Sequence, residues 1–304
     1  MIQYLIGTGG WAYFKALRKP ALKAYAEIFN FVEVNYTFYK YPSKRMVQRW
    51  RHIVPKGFVF TVRCHKDLTH GVGLKPVDEA YEILSQMISV CRILGAPFLH
   101  LLTPASYVFD ETEIRQSEDF FSSADLKGVR LAWEVRGPIS ENLLNLMRDN
   151  KIVHSVDLSK EETSIKSDSI YSRIFGKGKH NIYQFTDDEL KEIDKKVVDA
   201  AKRKAIITWH GVKMTNDAAR FKKYKETGKF LPVTAYTGID SVEAVLQEDA
   251  KFPSTKAELI EHQGWKVIDL TPEKRIHLSE LLSKVPDKMY YDVHEIIKNL
   301  RGAL

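Results

Sequence analysis

Two short apolar runs carry acids and bases at alternate positions. Phe31-Val32-Glu33-Val34-Asn35 and Leu131-Ala132-Trp133-Glu134-Val135-Arg136 both read as strands, in which successive side chains point to opposite faces. With the valines against a helix layer, Glu33 shares a face with Asn35, and Glu134 shares one with Arg136. A carboxylate and a guanidinium so placed pair with each other, or serve a substrate as a proton carrier and an anion clamp. The same alternation turns Arg63, Asp157 and Arg173 to the inner face of their own runs, while His210 ends the run Thr208-Trp209-His210 and His70 follows in Asp67-Leu68-Thr69-His70. The catalytic candidates are Glu33, Glu134 and His70. The substrate-binding candidates are Asn35, Tyr39, Arg63, Arg136, Asp157, Arg173, His210 and Trp11.

Three readings of this set stand side by side. One is a pocket in which Arg63, Arg136 and Arg173 hold an anion while Glu33 or Glu134 acts as acid or base. The second is a divalent metal held by Glu33, Glu134, Asp157 and His210, although these lie on separate runs with no local ligand spacing. The third is an internal salt-bridge network, since buried charges are costly unless paired or used. No HExxH, nucleophile elbow or P-loop occurs, and no organic cofactor is indicated. Tyr36-Thr37-Phe38-Tyr39-Lys40-Tyr41 interleaves aromatics with lysine, which suits base stacking, a sugar platform or a packed lid.

These residues need elements to position them. Short apolar runs occur at 4–7, 31–35, 58–64, 98–102, 129–135, 152–158, 170–176 and 205–210, with helical patterns between most of them. Thr186-Asp187-Asp188-Glu189 is a capping box. The crossover 159–168 is short and polar, and reads as a loop. Such an alternation builds either an open doubly wound sheet or a closed (β/α)8 barrel. The loop after the first run, Gly7-Thr8-Gly9-Gly10-Trp11, lacks the third glycine of a dinucleotide fingerprint, so the barrel is favoured. The expectation is an α/β chain with a TIM barrel over 1–230, a linker over 231–239 and a small helical domain over 240–304. Helices are expected at 241–247, 254–262, 272–282 and 293–300.

The chain of 304 residues has a net charge of +7, which divides unevenly into +10 over residues 1–237 and −3 over 238–304. A basic body favours an anionic or phosphate-bearing ligand, nucleic acid included, and an acidic tail favours a protein partner. Two cysteines without a CxxC pair exclude the usual structural zinc site. No signal-peptide pattern opens the sequence and no apolar run approaches a membrane span, so a cytoplasmic location without membrane contact is expected.

Gly7-Thr8-Gly9-Gly10-Trp11-Ala12-Tyr13 resembles the opening signature of the YecE-like barrel family, domain of unknown function 72. Val32 through Tyr39, Leu68-Thr69-His70, Trp133-Glu134-Val135-Arg136 and Arg173-Ile174-Phe175-Gly176 resemble further motifs of that family, in order over about residues 4–227. The resemblance implies a TIM barrel, similar to metal-dependent barrel nucleases and sugar isomerases, and supplies no reaction. Phe175 stands where many members carry histidine, and Trp209-His210 where many carry paired asparagines. The stretch from Phe252 to Ile260, with Leu281-Leu282 and Val285-Pro286-Asp287, resembles the small helical domain of unknown function 2795. The expected activity is hydrolysis or cleavage of a phosphate-bearing or nucleic-acid substrate at the barrel mouth. The rivals are a non-catalytic nucleic-acid-binding or adaptor protein and a sugar- or metabolite-processing barrel.

Overall fold

The apolar runs become eight parallel strands in a computed structural model that describes residues 2–14 and 19–301. In chain order the elements are β1 (Gln3–Thr8), α1 (Ala21–Ile28), β2 (Phe31–Val34), α2 (Lys44–Ile53), β3 (Val59–Arg63), α3 (Asp78–Leu94), β4 (Phe98–Thr103) and α4 (Glu111–Ser123). There follow β5 (Arg130–Val135), α5 (Glu141–Asp149), β6 (Val153–Val156), β7 (Ser167–Ile174), α6 (Asp187–Ala200), β8 (Ala201–Trp209) and α7 (Met214–Thr227). The ladder runs β1-β8-β7-β6-β5-β4-β3-β2, a sheet nearly closed into a barrel.

A phenol staples the seam between β1 and β2. The Tyr25 hydroxyl accepts from the Thr8 amide at 2.9 Å and donates to the Phe31 carbonyl at 3.0 Å. It satisfies one buried backbone group on each strand where no ladder bond does. The approach requires Gly7, because a Cβ there would lie 2.2 Å from the Phe31 oxygen.

The barrel interior is layered by strand alternation. Leu5, Phe31, Phe98, Ala132, Val153, Tyr171 and Ile206 pack together as one apolar layer. Two residues further along β2, β5 and β7 stand Glu33, Glu134 and Arg173, so the apolar floor gives way to charge towards the C-terminal strand ends. Caps fix where the outer helices begin. Ser43 accepts from the Met46 amide and Ser140 from the Leu143 amide. The Thr186 capping box forms, with the Glu189 carboxylate accepting from the Thr186 amide at 3.0 Å.

The chain groups into two units, 1–174 with 196–209, and 175–195 with 210–304. The first holds all eight barrel strands. In the second, α8 (Ile239–Asp249), β9 (Ser254–Thr255), α9 (Lys256–Gln263), β10 (Val267–Thr271), β11 (Lys274–His277), α10 (Leu278–Leu282), β12 (Met289–Tyr290) and α11 (Val293–Arg301) surround a core that includes Val242, Leu246, Ile268, Leu282, Tyr290 and Ile296. The helix expected over 272–282 is replaced by a strand and a short helix. Ile268 and Ile276 are paired across the β10–β11 hairpin and both are buried, and this cross-strand pairing outweighs helical spacing. No helix among the described residues is long and apolar enough to cross a membrane.

Candidate functional site at the barrel mouth

Glu33 lies at the centre of the charged layer and is fully buried. One carboxylate oxygen accepts from the Tyr171 hydroxyl at 2.7 Å and the other from Arg173 Nε at 3.2 Å. Arg173 Nη1 then donates to Glu134 at 2.7 Å, and Arg136 Nε donates to the other Glu134 oxygen at 2.9 Å. The chain of charge thus alternates Glu33, Arg173, Glu134, Arg136, from the closed interior to a half-exposed guanidinium. Burial alone raises the Glu134 carboxyl, but the charges of Arg173, His100 and Arg136 outweigh it and hold the group down at about 2. Burial lowers Arg173, and the two carboxylates more than reverse that, leaving it above its ordinary value. Both remain ionised at every physiological pH. This disposes Glu134 to orient arginines rather than to trade protons.

Arg63 is different. It is 5% exposed, and its partners are neutral: Nη1 donates to Asn35 Oδ1 at 2.7 Å and the guanidinium lies 3.5 Å from the centre of the Phe38 ring. Among the described residues its Nε is buried without a hydrogen-bond partner. Burial, then repulsion from Arg173, lowers it to about 10 against the pull of Glu33 and Glu134, so it stays charged at neutral pH. Asn35 and Phe38 reach it because the chain leaves β2 through a tight turn, Tyr36–Phe38. Thr37 Oγ1 pins that turn, at 2.9 Å from the Val34 carbonyl and 2.6 Å from that of Arg63.

His70 sits on a wide helical turn, Asp67–Val72, that follows β3. Its Nδ1 lies 2.9 Å from Thr69 Oγ1, and its ring meets Phe38 edge-on at 5.3 Å. Burial, then the positive charges of Arg63, Arg136 and Lys66, lower its pKa, so the imidazole is neutral at pH 7. The neighbouring guanidiniums make it a weaker base, but they keep it in the free-base form at neutral pH, the form a general base needs, and once protonated it is a strong donor.

The other candidates spread more widely. Asp157 caps its own turn, with Oδ1 accepting from the Ser159 amide at 3.0 Å and Ser159 Oγ at 2.6 Å, and Lys160 Nζ lies 3.5 Å from Oδ2. Tyr39 is 60% exposed and packs edge-on against Phe38 at 4.9 Å. Trp11 meets Trp50 edge-on at 5.4 Å. His210 belongs to the second unit, where it stacks on Phe175 at 4.9 Å. Among the described residues no group of three or more His, Cys, Asp or Glu side chains is disposed to hold a metal ion. Between Glu33 and Glu134 stands the Arg173 guanidinium.

Two participants escaped the sequence reading. His100 is fully buried, with Nε2 3.0 Å from Ser155 Oγ and 3.7 Å from Glu134. Burial and then Arg173 press its pKa well below the ordinary value, so it is neutral. Tyr171 bridges Glu33 and Thr61, the latter at 2.8 Å. The available signal was phase: both sit inside apolar runs, and Tyr171 is two residues from Arg173, on the same face.

Eight parallel strands in a nearly closed sheet, with charge gathered at their C-terminal ends, define a (β/α)8 barrel, and in enzymes of that fold the active site lies at this end. The chain belongs to the protein family of unknown function DUF72, whose model matches residues 5–231. A DUF72 family protein from Thermotoga maritima is 21% identical, with a TM-score of 0.58 over 73% of this chain and 99% of that one. One from Enterococcus faecalis is 13% identical, with a TM-score of 0.56 over 74% and 98%. A xylose isomerase domain protein from Alicyclobacillus acidocaldarius is 11% identical, with a TM-score of 0.50 over 74% and 97%. These likenesses concern the fold. No curated protein matches the sequence. The family match ends at residue 231, so the likeness of the tail to the domain of unknown function 2795 rests on its sequence motif alone.

Proposed function

We propose that the barrel mouth binds a phosphate ester and cleaves it by acid–base chemistry, with Arg63 and Arg136 holding the phosphoryl oxygens and His70 moving the proton. The observation that carries this reading is Arg63, a buried cation whose own partners are an amide and an aromatic ring. A guanidinium out of water is costly until an anion meets it, and its planar fork matches two oxygens of a phosphate. Arg136 supplies a second guanidinium, aimed by Glu134. Glu33 and Glu134 hold the arginines in place, Asn35 orients Arg63, and His70 Nε2 takes a proton from an attacking water as the new phosphorus–oxygen bond forms and the ester bond breaks, then returns that proton to the departing oxygen.

The test is hydrolysis of a nitrophenyl phosphomonoester and phosphodiester, with and without Mg2+. His70→Ala is expected to lower kcat by about a hundredfold or more, and Arg136→Ala to raise KM. In the wild type, kcat/KM should rise with pH as His70 loses its proton. Absence of turnover, or turnover indifferent to both substitutions, overturns the reading.

A further inference from the structure

The segment that leaves β2 and leads into α2 and β3 has a charge pattern of its own. Between Glu33 and Asp67 the chain carries eight lysines and arginines and no aspartate or glutamate. The same segment presents rings to solvent, with Tyr39 60% and Tyr36 40% exposed. These rings are held rather than loose. Trp11 and Tyr36 meet Trp50 edge-on at 5.4 and 5.7 Å, and Tyr39 is fixed by its amide, which donates to the Tyr36 carbonyl at 3.1 Å. Arg45 and Arg49 are exposed, one helical turn apart on α2, beside the row that carries Trp50. Lys40 follows Tyr39 directly.

We propose that this segment is a platform for single-stranded nucleic acid, and that the phosphodiester it delivers is the group received at the mouth. The proposal rests on the reading of the mouth as a phosphate site and extends it to the polymer. Exposed rings beside cations bind unstacked bases by their faces while the cations meet the phosphates. A duplex hides those faces and offers phosphates only, so it gains nothing from Tyr36 and Tyr39. The platform runs straight into the site, since Phe38, between Tyr36 and Tyr39, is the ring beneath Arg63.

Binding of labelled oligo-dT and oligo-U of about 15 nucleotides, and of a DNA duplex of equal length, tests this by fluorescence anisotropy at low and moderate salt. One or both single strands should bind more tightly than the duplex. Tyr39→Ala should weaken that binding on the order of tenfold, while Tyr39→Phe, which keeps the ring face, retains it. Replacing both Arg45 and Arg49 by alanine should flatten the salt dependence, by about 0.7 in log–log slope per lost phosphate contact. No single-strand binding at low salt, equal or tighter duplex binding, or indifference to Tyr39→Ala overturns the platform. If oligonucleotides fail while a small phosphodiester is hydrolysed, the platform falls and the mouth reading stands. If they bind and no ester is cleaved, the acid–base reading falls and the platform stands.

Discussion

Among the described residues stand two buried arginine–carboxylate networks that differ in what each leaves over, a carboxylate in one and the Arg63 guanidinium in the other. In the second unit, Arg220 donates to Asp187 at 2.7 Å and to Asp217 at 3.1 Å, while Arg275 reaches Asp187 at 2.7 Å and Asp269 at 2.8 Å. Two guanidiniums therefore face three carboxylates. At the barrel mouth, Arg173 joins Glu33 to Glu134 and Arg136 pairs with Glu134, while Arg63 sits against Asn35 and Phe38. An excess carboxylate has an internal remedy, which is to take up a proton. Burial pushes Asp217 up to about 7 despite Arg220, so that remedy is within reach at neutral pH. An excess guanidinium has no such remedy, because even Arg63 at about 10 keeps its proton. The first network can close on itself; in the function proposed above, the second takes an anion from outside at Arg63. Arrangements that look alike as lists of ion pairs can thus serve different ends, one holding a fold together and the other, in the function proposed above, forming a receptor.

The largest effect that separates them should come from Glu33→Gln. This takes one carboxylate partner from the buried Arg173, and breaking a buried pair costs about 3–5 kcal/mol. Urea unfolding should show that loss, and Arg173→Met on top of it should recover much of it. If Glu33→Gln is neutral, the mouth network is not holding its arginine by charge.

The two networks should also respond to pH with opposite sign. Glu134 is depressed, so the stability it lends the barrel is complete above its unfolded value near 4.5 and is lost as pH falls towards about 2. Asp217 is raised, so its contribution is complete below its unfolded value near 3.8 and is lost as pH rises through about 7. The slope approaches about 1.4 kcal/mol per pH unit at most. Denaturation of the wild type and of Asp217→Asn between pH 5 and 8 should show the decline in the first and a flatter profile in the second. Parallel profiles would remove Asp217 as the acceptor of the excess proton.

Much of the barrel mouth was legible because a strand has a period of two. That period alone put Glu33, Asn35, Glu134, Arg136 and Arg173 on inner faces, and the structure finds Glu33 and Arg173 bonded to each other there. What the period cannot give is partnership across the barrel. Glu33 and Arg173 stand on β2 and β7, and a linear reading holds no measure of that distance. Nor did it show that Arg63 lacks a carboxylate, which depends on the Tyr36–Phe38 turn swinging Asn35 and Phe38 beneath it. His100 and Tyr171 were passed over because a lone histidine or tyrosine inside an apolar run looks like core. The β10–β11 hairpin was read as helix because its strands are too short to display their alternation.

The smallest effect expected is also the most direct comparison of the two kinds of network. Inorganic phosphate should raise the thermal midpoint of the wild type, since a ligand bound only by the folded state adds about 2.7 kcal/mol at a hundredfold excess over Kd. Arg63→Met should abolish that rise and, unlike Glu33→Gln, should leave the unliganded stability nearly unchanged or raised. Removing a buried cation whose hydrogen-bonded partner is an amide strands no opposite charge, and a methionine of similar length refills the space against Phe38. Loss of an uncompensated charge should then offset loss of the Asn35 hydrogen bond. A phosphate-induced rise that survives Arg63→Met would place the anion elsewhere. A severe loss of stability in that variant without phosphate would mean that the mouth, like the second unit, is already closed.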